Sequence, residues 1–351
     1  MSAQRNSDSV PAASSSSWQS ARLLVTDEFA APPVILRVGD SVIGTLGNFS
    51  ASTGKAKSKK TFNVCAIVAA AMTGGTVLNY SASLPPRKRR ILYVDTEQSR
   101  FHCKRVLCRI LRLAGLPTDA HPPLLEFLCL RGYATKERLR KIEEAIYDLD
   151  NLGLVVIDGI RDLAHDINSP GEATDLITKL MQWTDERRIH IHTVLHLNKG
   201  DDNTRGHLGT ELNNKAETVL QITKDDFERD ISSVAAMHIR DRDFEPFAFR
   251  INADGLPELV EDYQLRQTTA AKSFEYAEVS ADKHREALEL LFSEADRVSY
   301  SSLIGRLQSS YASIGHSFGI NKAKQLKVFL ENKRMIVKED RFYCYNPDFH
   351  Y

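Results

Sequence analysis

The sequence predicts an α/β protein: a mostly parallel sheet with helices on both faces, antiparallel edge strands, and a small C-terminal helical unit. Three observations predict it. Apolar runs of strand length alternate with amphipathic helical segments from about Gly47 to Leu197, the rhythm of a parallel sheet with helical crossovers. Three strand-like runs then follow without helices between them. A polar, weakly periodic stretch separates these from a last segment of short helices and a hairpin.

The elements justify themselves in order. Residues 1–24 are rich in Ser and Ala, lack a basic start with an apolar run behind it, and are expected to be a disordered tail. Val34 to Ile43 reads as short extended pieces around Gly39-Asp40, and Gly47 to Ser52 as a strand. Thr61 opens a helix rich in small residues that stops at Gly74-Gly75. Ile91 to Asp95, Leu125 to Leu130, Leu154 to Asp158 and Ile189 to Leu197 are strands. Arg100 to Ala114, Lys136 to Leu149 and Gly171 to Arg188 are helices between them. Thr218 to Thr223, Ser232 to Ile239 and Phe247 to Ile251 are the antiparallel extension. The first domain is therefore expected over 25–254 and a linker over 255–280. Over 281–351, helices at Lys283–Phe292, Ser301–Gln308 and Asn321–Asn332 precede a hairpin around Glu339-Asp340, which is the winged-helix arrangement.

Composition sets the limits. The 351 residues carry 46 Lys+Arg against 46 Asp+Glu, so no overall field draws the chain to nucleic acid or anionic lipid, and such binding must be local. The longest apolar run, Val64 to Met72, is about half a membrane span. The five cysteines have no metal-ligand spacing and cannot all pair within one chain. A cytoplasmic protein with reduced thiols and no membrane association is expected.

The strongest signal is Gly54-Lys55-Ala56-Lys57-Ser58-Lys59-Lys60-Thr61, between a strand and a helix, the context of a phosphate-binding loop. Backbone N–H groups there curl around phosphate oxygens, and the helix N-terminus adds partial positive charge. Lys60 is expected on the β- and γ-phosphates and the Thr61 hydroxyl on Mg²⁺. Lys59 stands where such loops carry a second Gly. Asp158, ending an apolar strand and followed by Gly159, supplies the carboxylate beside the metal. Glu97, just past the strand Ile91–Asp95, is placed to polarise a water for hydrolysis, with Asp95 as rival.

The run from Gly47-Asn48-Phe49-Ser50 through the phosphate loop to Phe62 resembles the RecA-like ATPases of the RepA/DnaB hexameric helicase group. It is nearest the RepA-like type of plasmids, phages and transposable elements. The likeness covers about Val34 to Ile251. It implies ATP and Mg²⁺ as ligands, residues 54–62 around the nucleotide, Glu97 as the water-activating acid, and Asp158 as the Walker B carboxylate. It further implies a ring or filament, such as a hexamer. Arg240 and Arg242 would reach a neighbour's site, and Arg205–Leu212 would form a Gly-containing loop facing a central channel. His196 and Asn198 fall where related proteins often carry a polar sensor.

Other groupings are weaker. His190, His192 and His196 share strand parity, which suits polar groups aimed at a nucleotide site better than a zinc site. Arg87 to Arg90 is a basic loop that fits a phosphate backbone or bare solvent equally. Lys199 and Arg205 could neutralise phosphates of single-stranded DNA. Lys322, Lys324 and Lys327 lie on the helix that would enter a DNA groove, or on a module that docks a protein. The leading expectation is a DNA-dependent, helicase-like ATPase serving replication or mobilisation of a plasmid or integrated element. Its alternatives are a nucleotide-gated regulator or loader without strand separation, and an inactive scaffold suggested by Lys59.

Overall fold

The computed structural model describes residues 17–197, 206–225, 228, 230–261, 263 and 275–349. The chain divides into two compact units, Met1–Leu265 and Arg266–Tyr351.

The first unit opens with a hairpin, β1 (Val34–Val38) and β2 (Ser41–Thr45), turning at Gly39. Then β3 (Phe49–Gly54) runs into the phosphate-loop residues and α1 (Lys60–Thr73). Alternation continues through β4 (Thr76–Val77), β5 (Tyr80–Ala82), β6 (Arg90–Asp95), α2 (Arg100–Leu113), β7 (Leu125–Cys129) and α3 (Thr135–Asp148). It ends with β8 (Leu152–Asp158), α4 (Pro170–Arg187), β9 (His190–His196), α5 (Gly206–Lys215), β10 (Thr218–Lys224), β11 (Ile231–Ile239), β12 (Phe247–Ile251) and β13 (Pro257–Val260).

Nine strands form the main sheet in the order β13-β12-β11-β10-β3-β9-β8-β6-β7. From β10 to β7 every pairing is parallel, and from β10 to β13 every pairing is antiparallel. The expected class, parallel sheet and antiparallel edge are all present. Both faces are covered, which is why β6 and β8 read as unbroken apolar runs rather than alternating ones. Ile91, Tyr93, Leu154 and Val156 pack against α1 and α2, while Leu92, Val94, Val155 and Ile157 pack against α3 and α4. Each such fully buried aliphatic side chain contributes about 1.5–3 kcal/mol. A four-stranded antiparallel sheet, β2-β1-β5-β4, adds Leu36, Ile43 and Tyr80 to the α1 side.

Two expectations need correction, and two short strands had no reading in the sequence. β4 and β5 were invisible in the sequence because two- and three-residue strands carry no period. The linker does not start at 255: Pro257–Val260 pairs with β12 as an additional edge strand, with Pro257 buried. Within Arg205–Leu212, the described residues from Gly206 are helical rather than a loop. Leu208 and Leu212, four apart, bury one face of α5 in the same cluster as α4. Arg205 itself, like Asn198 and Lys199, lies outside the described residues.

The second unit contains α6 (Ala281–Phe292), β14 (Arg297–Ser299), α7 (Tyr300–Ser313), α8 (Ile320–Asn332), β15 (Ile336–Glu339) and β16 (Phe342–Tyr345). Its strands order as β14-β16-β15, so the expected hairpin gains a third strand. Leu288, Leu303, Leu307, Leu326 and Leu330 form its core. No helix among the described residues is long and apolar enough to cross a membrane.

Candidate nucleotide site

The carboxyl ends of β3, β6, β8 and β9 converge on a cleft of about 380 Å³, where open parallel sheets commonly bind ligands. It is lined by Lys57 to Phe62, Asp95, Glu97, Asp158 and His196, and by Gln98, His102, Arg105 and Arg109 from the α2 side.

The loop leaves β3 at Gly54. A Cβ there would meet the Ile222 carbonyl oxygen at 2.3 Å and Ser58 Oγ at 2.5 Å, so only glycine fits. Lys57 and Lys59 both adopt left-handed backbone (φ +67° each), a conformation costing a side-chain-bearing residue about 1–2 kcal/mol. Lys59 thus occupies the glycine position in a glycine-like conformation. Its ammonium donates to the Asp230 carbonyl at the start of β11, so the side chain reaches across to the β10–β11 connection. Burial lowers its pKa, partly countered by Asp230.

Lys60 is 6% exposed and donates to the carbonyls of Gly54 (2.8 Å) and Lys55 (3.0 Å), spanning the loop. Its Nζ also lies 3.1 Å from His196 Nδ1. Burial brings its pKa down to about 8, against the pull of Asp158 and Glu97. Thr61 Oγ1 donates to Asp158 Oδ2 at 2.9 Å, and the Tyr93 hydroxyl donates to the same oxygen at 2.9 Å. Burial, and then the nearby Asp95, push Asp158 up to about 6.

The two rival acids have separate places. Asp95 is 1% exposed and accepts from Glu97 N (3.0 Å), Gln98 N (2.7 Å) and Gln98 Nε2 (2.8 Å), which folds the turn after β6. Glu97 faces the cleft, 3.6 Å from His196 Nε2, and His196 and Lys60 hold its carboxyl below the usual range. Gly159 (φ +104°) closes this wall, since a Cβ would sit 2.2 Å from Thr96 Oγ1.

The site suits a magnesium–nucleoside triphosphate on three observations. Ser58 Oγ is buried in the loop without a hydrogen-bond partner. The Gly54 cradle excludes any side chain, and Thr61 with Asp158 provides a hydroxyl–carboxylate oxygen pair, the donor chemistry of Mg²⁺.

His190 and His192 do not reach the cleft. Both are fully buried and bonded to Ser50 Oγ (2.7 and 2.8 Å), with His192 also on Ser52 Oγ at 2.8 Å. Burial holds His192 down to about 3, and no metal-ligating cluster occurs among the described residues. Only His196 of the three serves the site. Arg240 and Arg242 lie past the far end of β11, near Gly47 and Asn48 and near Gly39 to Ser41, at the opposite end of the sheet from their own phosphate loop. In the second unit, Lys322 pairs with Glu275 (2.9 Å) and Lys327 with Glu331 (2.5 Å), while Lys324 is exposed.

Sequence reasoning missed Arg105 and Arg109. Their spacing of four on a helix that starts just after Glu97 was the available signal. The Arg109 guanidinium stacks 3.7 Å from the Phe62 ring centroid, which fixes Phe62 at the cleft's edge.

Among solved structures, a KaiC-like protein of the archaeon Pyrococcus horikoshii is 14% identical (TM-score 0.43), aligned over 61% of this chain and 90% of its own. The RadB recombinase is 17% identical (TM-score 0.43), over 62% of this chain and 92% of its own. No curated protein sequence matches. The AAA domain family, AAA_25, matches residues 20–202, more than half of the 351. On that match the chain belongs to the AAA_25 family of AAA domains.

Proposed function

We propose that the protein hydrolyses ATP. The observation that carries this is the convergence of Lys60, Thr61–Asp158 and Glu97–His196 on one cleft, with Asp95 withdrawn into the turn. Thr61 and Asp158 would hold Mg²⁺, which neutralises charge on the β- and γ-phosphates. Lys60 exchanges the loop carbonyls for phosphate oxygens. Glu97, kept ionised, orients and deprotonates the attacking water.

The likeness to RepA/DnaB-type ATPases extends the proposal to a ring or filament acting on single-stranded DNA in replication or mobilisation of a plasmid or integrated element. The placement of Arg240 and Arg242 supports a subunit-shared site, because they cannot reach their own nucleotide. One observation favours a second reading, a regulator or loader. On the proposed winged-helix domain, two of the three candidate DNA-contacting lysines are already paired with carboxylates, which suits docking of a protein partner.

The test is ATPase activity with and without single-stranded DNA, together with particle mass with and without ATP. Unwinding of a forked duplex separates motor from loader. Lys60→Ala and Arg242→Ala chains, each inactive alone, should recover hydrolysis when mixed. No recovery in demonstrably mixed particles would remove the shared site.

A further inference from the structure

We propose that Cys103 and Cys129 form a reversible dithiol–disulfide couple, oxidised by a small peroxide, whose closure loosens the turn that carries Glu97.

The two cysteines come from different elements and meet at one place. Cys129 ends β7 directly opposite Asp95 in the β6–β7 register. Cys103, in the first turn of α2, is 1% exposed, and its Sγ donates to the Gln98 carbonyl at 3.6 Å. Cys129 has the strand parity of Leu125 and Phe127, which pack on the α1 and α2 side, so it faces the helix that carries Cys103. It also lines one cavity with Gln98, the residue whose carbonyl Cys103 touches. Asp95 is the group that fixes the Glu97 and Gln98 amides. Both sulfurs therefore pack against the 95–98 turn.

Access is uneven, and this sets the order of events. Cys129 lines a cavity of about 530 Å³ together with Gln98, Arg100, Arg131 and Tyr133. Cys103 lies behind it, and burial with the neighbouring Asp95 pushes its thiol up, so it is not the sulfur that peroxide meets first. In the first step the Cys129 thiol gives its proton to solvent and the thiolate attacks the peroxide: an S–O bond forms, the O–O bond breaks, and the departing hydroxide takes a proton from solvent to become water. Cys103 sulfur then attacks the sulfenic acid, so an S–S bond forms, the S–O bond breaks, and a second water carries off the thiol proton. The two sulfurs together lose two electrons and the peroxide gains them.

Closure brings the sulfurs to about 2.05 Å and draws the first turn of α2 towards β7. It also removes the S–H donor on the Gln98 carbonyl. The Gln98 carbonyl is then left without that partner while the start of α2 is displaced, and the 95–98 turn that places Glu97 loosens.

The test uses the full chain treated with hydrogen peroxide. Intact mass should fall by about 2 Da for the two hydrogens lost, and peptide mapping should show a Cys103–Cys129 cross-link. Amide exchange at Glu97 and Gln98 should rise severalfold, and dithiothreitol should reverse both changes. Cys129→Ala and, independently, Cys103→Ala should each abolish the cross-link and the exchange change. Oxidation confined to Cys129, a bridge to another cysteine, or a bridge that leaves exchange unchanged would overturn the proposal. A fall in turnover on oxidation rests on the ATPase reading, whereas mass and exchange do not, so the two fail separately.

Discussion

The ammonium nitrogen of Lys60 lies 3.1 Å from Nδ1 of His196. A charged ammonium can only donate, so Nδ1 accepts, and the ring N–H is at Nε2, facing Glu97 at 3.6 Å. One imidazole thus touches both Lys60 and Glu97, the groups proposed to hold phosphate and to activate water. His196→Ala should leave ATP affinity nearly intact and slow hydrolysis by about tenfold or more, a kcat loss without a matching KM change. Steady-state kinetics beside equilibrium nucleotide binding would show it. A loss of affinity with kcat unchanged would give His196 to ground-state binding alone.

Burial sets a pH limit on nucleotide capture. With the Lys60 pKa at about 8, the charged fraction of the free protein falls as pH rises through that value. If only charged Lys60 binds phosphate, Kd at pH 9 should be about tenfold weaker than at pH 7. Lys60→Arg, which cannot lose its charge, should flatten that step. Stability without nucleotide should move the other way. The folded value lies below the unfolded one, so the cost of a buried charge is relieved as pH rises from about 8.

Glu97 and Asp95 should separate cleanly. Glu97→Gln should bind ATP normally and lose about 10²–10⁴-fold in turnover, the usual range for a general base. Asp95→Asn should instead lower the melting temperature, because it weakens a carboxylate holding three donors. Normal turnover in Glu97→Gln would remove its assignment.

Backbone strain around the cleft can be read directly. Gly159→Ala should cost about 1–3 kcal/mol, since its Cβ collides with Thr96 Oγ1 and its φ is +104°. Lys59→Gly should relieve left-handed strain, lose the tie to Asp230, and so change stability by less than about 1 kcal/mol while ATP binding persists. Chemical denaturation gives both values.

The parts of the site carried by local pattern were legible in the sequence. Gly54 to Thr61 lies in one contiguous run, and Asp158 and Glu97 each follow an apolar strand, so strand order alone brings them together. What could not be read depended on tertiary pairing. The same chemistry at Asp95 and Glu97 divides only because one carboxylate meets three donors in a turn. His190 and His196 share a parity, yet one is sealed beneath the small sheet and the other opens to the cleft. The helix over Gly206–Lys215 was hidden because its two glycines and two asparagines outweigh Leu208 and Leu212 until those leucines find α4.

The lysine at position 59 gives the phosphate loop a handle. A glycine there would bend equally well but would leave the loop mechanically isolated from its surroundings. Here an alkyl stem spans from the loop to the backbone at Asp230, where the antiparallel edge begins. Any torque on that edge is delivered as tension at the residue next to Lys60. The same tether runs the other way, so the loop at Lys59 and the rim of the sheet at Asp230 share one mechanical link.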